Sequence, residues 1–214
     1  MNDLMEMVRR DKLIAIVRGL GREHMLALAD ALIAGGITMI EVTFNQAKPD
    51  SWADTQKAIR SIADEFDGAV VPGAGTVMTK EQANMSKDAG AQYVVAPNVD
   101  EVVIREAKRL GMYAFPGALT PSECQAAHLA GADAVKLFPA GDLGPKYLKA
   151  IRAPLSHIHF LAVGGVNEKN AADFIKAGAI GLGVGGSLVN KEWIEAGAFE
   201  KITALARAYR KAVD

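Results

Sequence analysis

Short apolar runs alternate with longer amphipathic stretches along the whole chain. Each run is short and continuous, which is typical of a parallel strand that is covered on both faces. The runs occupy residues 13–17, 39–44, 69–74, 93–96, 112–115, 134–138, 159–163 and 180–184. The pattern therefore predicts eight buried parallel strands.

Helix signals lie between these runs. Thr79 and Thr120 each begin a capping-box pattern, and Asp100 and Asn167 are further candidate N-caps. Glycine stands where many amphipathic stretches end, as expected at helix C-termini. An additional helix is predicted over residues 2–10, before the first strand. The chain is thus a succession of βα units.

Eight βα units in 214 residues favour an α/β fold of the TIM type, a (β/α)8 barrel with an extra N-terminal helix. We expect residues 1–214 to form a single domain. A doubly wound open sheet is the alternative, because periodicity alone does not separate the two folds. No G-x-G-x-x-G pattern follows the first run, which counts against a dinucleotide-binding sheet.

The charge balance excludes several classes of partner. The formal net charge is −1, so no basic excess points to nucleic acid or to a membrane surface. No apolar stretch approaches the ~20 residues that span a bilayer, and the acidic start is unlike a signal peptide. Cys124 is the single cysteine, which fits a reducing compartment. We therefore expect a cytoplasmic protein that binds neither nucleic acid nor membranes.

The histidines give no metal signal. His24, His128, His157 and His159 show no zinc-like spacing with Cys124. Zinc needs three or four convergent ligands, so we interpret these histidines as structural or surface residues and predict no metal site.

Lys136 carries the strongest chemical signal. It is the one charge in the run 134–138, where burial removes the hydration of the ammonium group. Desolvation favours the neutral amine, which is a nucleophile toward ketones. The alternative is a lysine that extends its charged head to water from the end of a strand.

Two further charges share the strand ends with Lys136. Arg18 follows the first run and Glu41 lies in the second, and the C-terminal ends of barrel strands build the active site. Glu41 can act as acid or base. Arg18 can bind a carboxylate and disfavour the charged form of Lys136. A structural ion-pair network is the alternative, although burying three charges for stability alone tends to be unfavourable.

Paired glycines follow the last two runs. Gly164 and Gly165 come after the seventh, and Gly185, Gly186 and Ser187 come after the eighth. Glycine lets backbone amides approach an anion closely, and the loops after strands seven and eight commonly bind phosphate in barrel enzymes. Tight turns without a ligand are the alternative.

Weaker signals come from other strand ends. Thr76 follows the small residues 73–75, which leave room for a ligand. Pro97 and Phe138 are candidate pocket walls, with plain packing as the alternative. Thr120 is interpreted chiefly as a helix cap.

Seven short segments carry a family pattern in order over nearly the whole chain. They are I-E-V-T at 40–43, G-A-G-T-V at 73–77, V-A-P-N at 95–98, P-G-A-L-T-P-S-E at 116–123, V-K-L-F-P-A at 135–140, V-G-G-V at 163–166 and G-G-S at 185–187. Together they resemble the 2-keto-3-deoxy-6-phosphogluconate (KDPG) / 4-hydroxy-2-oxoglutarate (KHG) aldolase family. The lysine segment is the most specific of them.

The resemblance implies a class I, Schiff-base aldolase on a TIM barrel, usually a homotrimer, without metal or other cofactor. By the same motifs, Lys136 resembles the Schiff-base lysine and Glu41 the acid/base. The other correspondences are pocket residues at Thr76, Pro97 and Phe138, and a phosphate site at Gly164, Gly165, Gly185, Gly186 and Ser187.

Asn45 departs from the pattern of many family members. They carry arginine four positions after the catalytic glutamate, where it helps to bind the pyruvyl carboxylate. The branch that handles the galactonate epimer often has asparagine there, but with a different following loop than residues 46–49. We expect Arg18 and backbone amides to bind the carboxylate instead, with Asn45 nearby.

The expected reaction is retro-aldol cleavage of a phosphorylated 2-keto-3-deoxy sugar acid to pyruvate and glyceraldehyde 3-phosphate. Cleavage of KHG to pyruvate and glyoxylate, and the galactonate epimer as substrate, stay open. One rival is another phosphate-binding barrel enzyme, such as an epimerase or a thiamin phosphate synthase, in which Lys136 only contacts substrate. Another is a sugar-phosphate-binding protein without catalytic activity.

Overall fold

The computed structural model describes residues 4–214, which form alternating helices and strands. The strands are β1 (Leu13–Val17), β2 (Met39–Thr43), β3 (Val71–Gly75), β4 (Tyr93–Val95), β5 (Tyr113–Phe115), β6 (Gly117–Ala118), β7 (Val135–Leu137), β8 (Phe160–Val163) and β9 (Gly181–Val184). The helices are α1 (Leu4–Asp11), α2 (Met25–Ala34), α3 (Trp52–Glu65), α4 (Lys80–Asp88), α5 (Glu101–Arg109), α6 (Pro121–Leu129), α7 (Ala140–Arg152), α8 (Ala171–Lys176), α9 (Lys191–Glu195) and α10 (Phe199–Val213).

All paired strands are parallel, in the order β5-β4-β3-β2-β1-β9-β8-β7-β6. The strands at the two ends of this order are halves of one barrel strand, because only Pro116 separates β5 from β6. Proline has no backbone N–H to donate, which interrupts the ladder at this point. Its carbonyl still accepts from the backbone N–H of Lys136 at 2.9 Å. The ring closes, which confirms the predicted eight-stranded barrel and excludes the open sheet.

The N-terminal helix covers the end of the barrel at which the strands begin. Leu4, Met5 and Val8 of α1 are buried together with the side chains that fill the barrel interior. An extra N-terminal helix is therefore confirmed from residue 4, and residues 2 and 3 of its predicted range lie outside the described residues. A larger apolar cluster fills the space between the outer faces of the strands and the surrounding helices.

Three of the four predicted helix caps form as expected. Thr79 accepts from the backbone N–H of Gln82, Asp100 caps α5, and Thr120 forms a full capping box with Glu123. For Asn167, the predicted start of the helix was wrong, because the regular turns of α8 begin only after Asn170. The side chain of Asn167 nevertheless accepts from the backbone N–H groups of Lys169 and Asn170, as an N-cap does.

No helix within residues 4–214 is long and apolar enough to cross a membrane. The parallel strands all point the same way, so their C-terminal ends and the loops that follow them meet at one face. That face gathers most of the residues selected from the sequence.

Candidate active site

Lys136 lies in the middle of β7 with its side chain inside the barrel mouth. The residue is only 5% exposed. Its Nζ lies 4.8 Å from the ring centroid of Phe138. Burial lowers the pKa of Lys136, Glu41 opposes this effect, and the positive charge of Arg18 adds to it. The neutral amine is therefore more accessible here than for a lysine in water.

Glu41 lies on β2 and is 2% exposed. Burial raises its pKa, and the charges of Lys136 and Arg18 partly offset that rise. The neighbouring strand makes room for the carboxylate, because a Cβ at Gly75 would overlap one of its oxygens. A carboxyl group with a raised pKa and an amine with a lowered pKa are suited to exchanging protons with a substrate.

Arg18 differs from the other two charges because it is exposed. It follows the end of β1, so the expectation of three buried charges holds only for Lys136 and Glu41. Arg18 lines two neighbouring cavities, and its charge acts on both buried groups. An exposed guanidinium at the edge of both cavities is free to bind an incoming anion.

The first of these cavities contains the predicted lysine and phosphate residues together. Its volume is about 730 Å³. Lys136 and Phe138 lie on one side of it, and the β8–α8 and β9–α9 loops lie on another. The predicted residues that line it are Arg18, Lys136, Phe138, Gly164, Gly165, Gly185, Gly186 and Ser187. A cavity of this size accommodates a small phosphorylated sugar acid.

The two loops present backbone donors to this cavity. Within residues 4–214, the amide N–H groups of Gly165, Val166, Gly186 and Ser187 donate to no protein acceptor. Gly165 has a φ of +73°, and a Cβ there would lie 2.9 Å from the Cα of Gly141, so only glycine fits. Such a pair of glycine turns is suited to an anion.

Ser187 contributes its hydroxyl to the protein scaffold. The hydroxyl donates to the carbonyl of Val166 at 2.8 Å and lies 3.1 Å from the hydroxyl of Tyr209, which donates to it. These bonds join the two loops to each other and to α10. The amide of Ser187 is thus the group that remains for an anion.

Asn45 and Thr76 line the second cavity, of about 820 Å³, which Arg18 also borders. The side chain of Asn45 is exposed and accepts from the backbone N–H of Ala47 at 3.0 Å. Gln46 donates to the carbonyl of Thr76 at 2.6 Å, which joins the two loops. These two predicted pocket residues therefore lie on the far side of Arg18 from the glycine loops.

Thr76 has a left-handed backbone conformation that its sequence does not reveal. Its φ is +55°, which is unusual for a β-branched residue. Backbone strain of this kind is concentrated at functional sites. The conformation is a second reason, beside its position after β3, to assign Thr76 to the site.

Pro97 borders neither cavity. It is half-buried after β4, and its carbonyl group fills the space in front of Gly117, where a Cβ would overlap it. Its visible role is to support β6, the strand next to Lys136. Thr120 is a helix cap, as expected.

A sequence model of the KDPG and KHG aldolase family matches residues 4–205. The chain belongs to this family. It is 38% identical over 202 residues to the 2-dehydro-3-deoxy-6-phosphogalactonate aldolase of Escherichia coli K12, a match that covers 94% of this chain and 96% of the relative. It is 37% identical to the KHG/KDPG aldolase of the same organism, with 86% and 84% covered.

The structure gives the same family. The KDPG aldolase of Legionella pneumophila, solved with pyruvate captured at low pH as a covalent carbinolamine intermediate, superimposes with a TM-score of 0.86. The two chains are 27% identical, and the match covers 97% of this chain and 98% of the other. This member of the family is therefore an aldolase, a carbon–carbon lyase, on an α/β barrel.

Two residues of this aldolase escaped the sequence analysis. Lys191 begins α9 and lines the Lys136 cavity, with its Nζ beside Gly19. Tyr93 lies on β4 inside the barrel, where burial and the charge of Glu41 raise its pKa. Neither has a sequence signal, because Lys191 follows a polar loop and Tyr93 belongs to an apolar run.

The histidines do not join this site. The rings of His128 and His157 lie 4.9 Å apart, away from the residues that line the Lys136 cavity. Among the residues that the structure describes, no three His, Cys, Asp or Glu side chains come together as candidate metal ligands.

Proposed function

We propose that this aldolase forms a Schiff base on Lys136 and cleaves a phosphorylated 2-keto-3-deoxy sugar acid. One observation carries the proposal: the buried amine of Lys136 lines a cavity whose loops present unbonded amides, and the charge of the buried Glu41 acts on that amine. The capture of pyruvate as a carbinolamine by the Legionella relative supports the covalent step.

The reaction begins at the C2 ketone of the substrate. Neutral Lys136 attacks C2, and loss of water from the carbinolamine gives an iminium ion. Glu41 takes the proton of the C4 hydroxyl, the C3–C4 bond breaks, and its electron pair moves into the iminium to give an enamine. The aldehyde leaves, Glu41 returns the proton to C3, and water releases pyruvate from Lys136.

Arg18 is the proposed ligand of the substrate carboxylate. It borders the Lys136 cavity, and its planar guanidinium matches a carboxylate with two parallel hydrogen bonds. Asn45 and Thr76 lie beside it in the adjoining cavity and complete this end of the site. Phe138 forms part of the wall around Lys136, and Pro97 supports the neighbouring strand β6.

The proposed phosphate site is formed by the amides of the two glycine loops. Gly164, Gly165, Gly185, Gly186 and Ser187 present backbone to the cavity, and unpaired amides favour a phosphate ester. Lys191 is near enough to add a positive charge.

The substrate belongs to the gluconate or the galactonate series. Two relatives named for the galactonate epimer are 38% and 42% identical to this chain, and a KHG/KDPG aldolase is 37% identical, so both series are candidates. Steady-state kinetics on KDPG, its galactonate epimer and KHG, with pyruvate release coupled to an indicator enzyme, tests the proposal. Turnover of a phosphorylated epimer that is lost in Lys136→Met supports it. Pyruvate release from none of the three substrates, or undiminished activity in Lys136→Met, contradicts it.

The proposal also covers the domain organisation, the oligomeric state and the location of the protein. We propose that residues 1–214 act as one aldolase domain, that three copies assemble into a trimer, and that the protein works in the cytoplasm. Family resemblance supports the trimer, and the single cysteine is compatible with a reducing compartment. Light scattering behind size exclusion should give a mass of three chains.

A further inference from the structure

Tyr93 is a buried phenol in the barrel interior whose role the reaction above leaves open. Its relative exposure is 0%. Its hydroxyl has no hydrogen-bond partner among the residues that the structure describes. Buried polar groups are nearly always hydrogen-bonded, so a phenol in this position calls for an explanation.

The strand register places Tyr93 beside Glu41. Glu41 on β2 pairs with Gly73 on β3, and Gly73 pairs with Tyr93 on β4. The three positions therefore share one layer of the barrel and point inward. Gly73 has no side chain, and the hydroxyl end of the Tyr93 ring occupies the space where its Cβ would be. The ring thus crosses β3 toward the glutamate.

Tyr93 is present as the neutral phenol. Burial raises its pKa well above the ordinary value, and the negative charge of Glu41 raises it further. The phenol therefore keeps its proton throughout the pH range around neutrality in which the enzyme is assayed. It is therefore available as a hydrogen-bond donor.

We propose that Tyr93 is a positioning residue for Glu41, to whose carboxylate its hydroxyl donates a hydrogen bond through one bridging water molecule. The inference rests on the proposed role of Glu41 as acid and base. The bond fixes the direction of the carboxylate and favours its ionised form.

The other groups that face Glu41 act in the same direction. Lys136 from β7 and Arg18 after β1 are cations, and both lower the pKa of Glu41. On β3, Gly73 and Gly75 contribute no titratable group. Tyr93 is thus the neutral donor in a set that opposes the effect of burial on Glu41.

Replacement of Tyr93 by Phe tests this inference, because it removes the hydroxyl and keeps the ring. The base form of Glu41 is needed for cleavage, so the acidic limb of the kcat profile follows its pKa. Without the donor, that limb should move to higher pH. Near neutrality kcat should fall about ten- to a hundredfold, the usual effect of losing a hydrogen bond to a charged group, while KM changes little.

Two further variants keep the experiment decisive. Site-specific 3-fluorotyrosine at position 93 keeps the fold and is a more acidic donor, so the acidic limb should move to lower pH. Tyr113→Phe removes the hydroxyl of the residue paired with Tyr93 on β5 and should leave the limb in place. If neither change at position 93 moves the limb, or if both move it the other way, the inference is wrong.

Glu41→Gln separates this inference from the proposed function. If Glu41 is the acid/base, this variant should lose about 10²- to 10⁴-fold in turnover. A large loss in Glu41→Gln with an unmoved limb in Tyr93→Phe overturns only the role of Tyr93. Nearly full turnover in Glu41→Gln overturns the proposed role of Glu41 itself.

Discussion

Gly75 and Glu41 are matched across two neighbouring strands: the glutamate carboxylate occupies the space that a side chain at Gly75 would fill. The fit explains why a buried strand tolerates glycine here. It also makes Gly75 a means of displacing the carboxylate without changing its chemistry.

Gly75→Ala should therefore reduce turnover by roughly 10²-fold, because a shift of about 1 Å in a catalytic group has effects of that size. Overpacking should also lower the free energy of unfolding by about 1–3 kcal/mol. Gly181→Ala is the matched control, since its Cβ would press on Leu161 and Val8, far from Glu41. Equal losses of turnover in both variants would mean that Gly75 matters for stability alone. Steady-state kinetics and thermal unfolding give both quantities.

The pH dependence of imine formation should reflect the lowered pKa of Lys136. Only the neutral amine reacts, so the rate should rise with pH and level off below the ordinary lysine value of 10.5. In Arg18→Met one nearby cation is lost, the pKa of Lys136 should rise, and the profile should move to higher pH.

Acetaldehyde with cyanoborohydride is the suitable probe for this profile, because it has no carboxylate for Arg18 to bind. Arg22→Met, which removes an exposed arginine from the same loop, is the control and should leave the profile unchanged. A profile that is the same in wild type and Arg18→Met contradicts the electrostatic role of Arg18.

Arg18→Lys should weaken pyruvate binding although the charge is kept. A lysine cannot form the two parallel hydrogen bonds of a guanidinium, and losing a charge-assisted bond costs about 1.5–3 kcal/mol, or roughly ten- to a hundredfold in affinity. Asn45→Arg should restore part of the loss, because position 45 lines a cavity that Arg18 borders. Unchanged pyruvate affinity in Arg18→Lys would assign the carboxylate to backbone amides or Thr76.

Gly186→Val should discriminate against phosphorylated substrates. A Cβ at this position meets nothing within 4 Å and φ is not positive, so the variant should fold. Its side chain should obstruct the approach of phosphate to the loop amides and reduce kcat/KM for KDPG about ten- to a hundredfold. KHG has no phosphate and serves as the control in the same variant. Equal losses on both substrates would mean that the loop only shapes the barrel mouth. Gly165→Val is less suitable, since position 165 is strained for any side chain.

The barrel could be predicted from the sequence because continuous apolar runs correspond directly to strands buried on both faces. The break at Pro116 could not, since the run before it ends as an ordinary strand would and β6 has only two residues. The regular turns of α8 begin after Asn170 and not directly after Asn167, because hydrogen bonds within the β8–α8 loop hold the residues between them in a turn.

Site residues could be predicted from the sequence where the signal lies in the residue and its sequence neighbours. Residues whose role depends on the path of a loop could not. Lys136 and Glu41 are charges in apolar runs, so their burial follows from the sequence. The exposure of Arg18, the separate cavity of Asn45 and Thr76 and the position of Pro97 depend on loop paths. Tyr93 looks like a core aromatic residue until the register across Gly73 is known.

Covalent attachment of substrate to Lys136 is the step on which the proposed mechanism depends. Incubation with pyruvate and borohydride followed by intact-mass measurement tests it most directly. We predict the addition of one reduced pyruvyl group per chain, mapped by peptide sequencing to Lys136 and absent in Lys136→Met. No mass increase, or a pyruvyl group on another lysine such as Lys191, would contradict the Schiff-base mechanism.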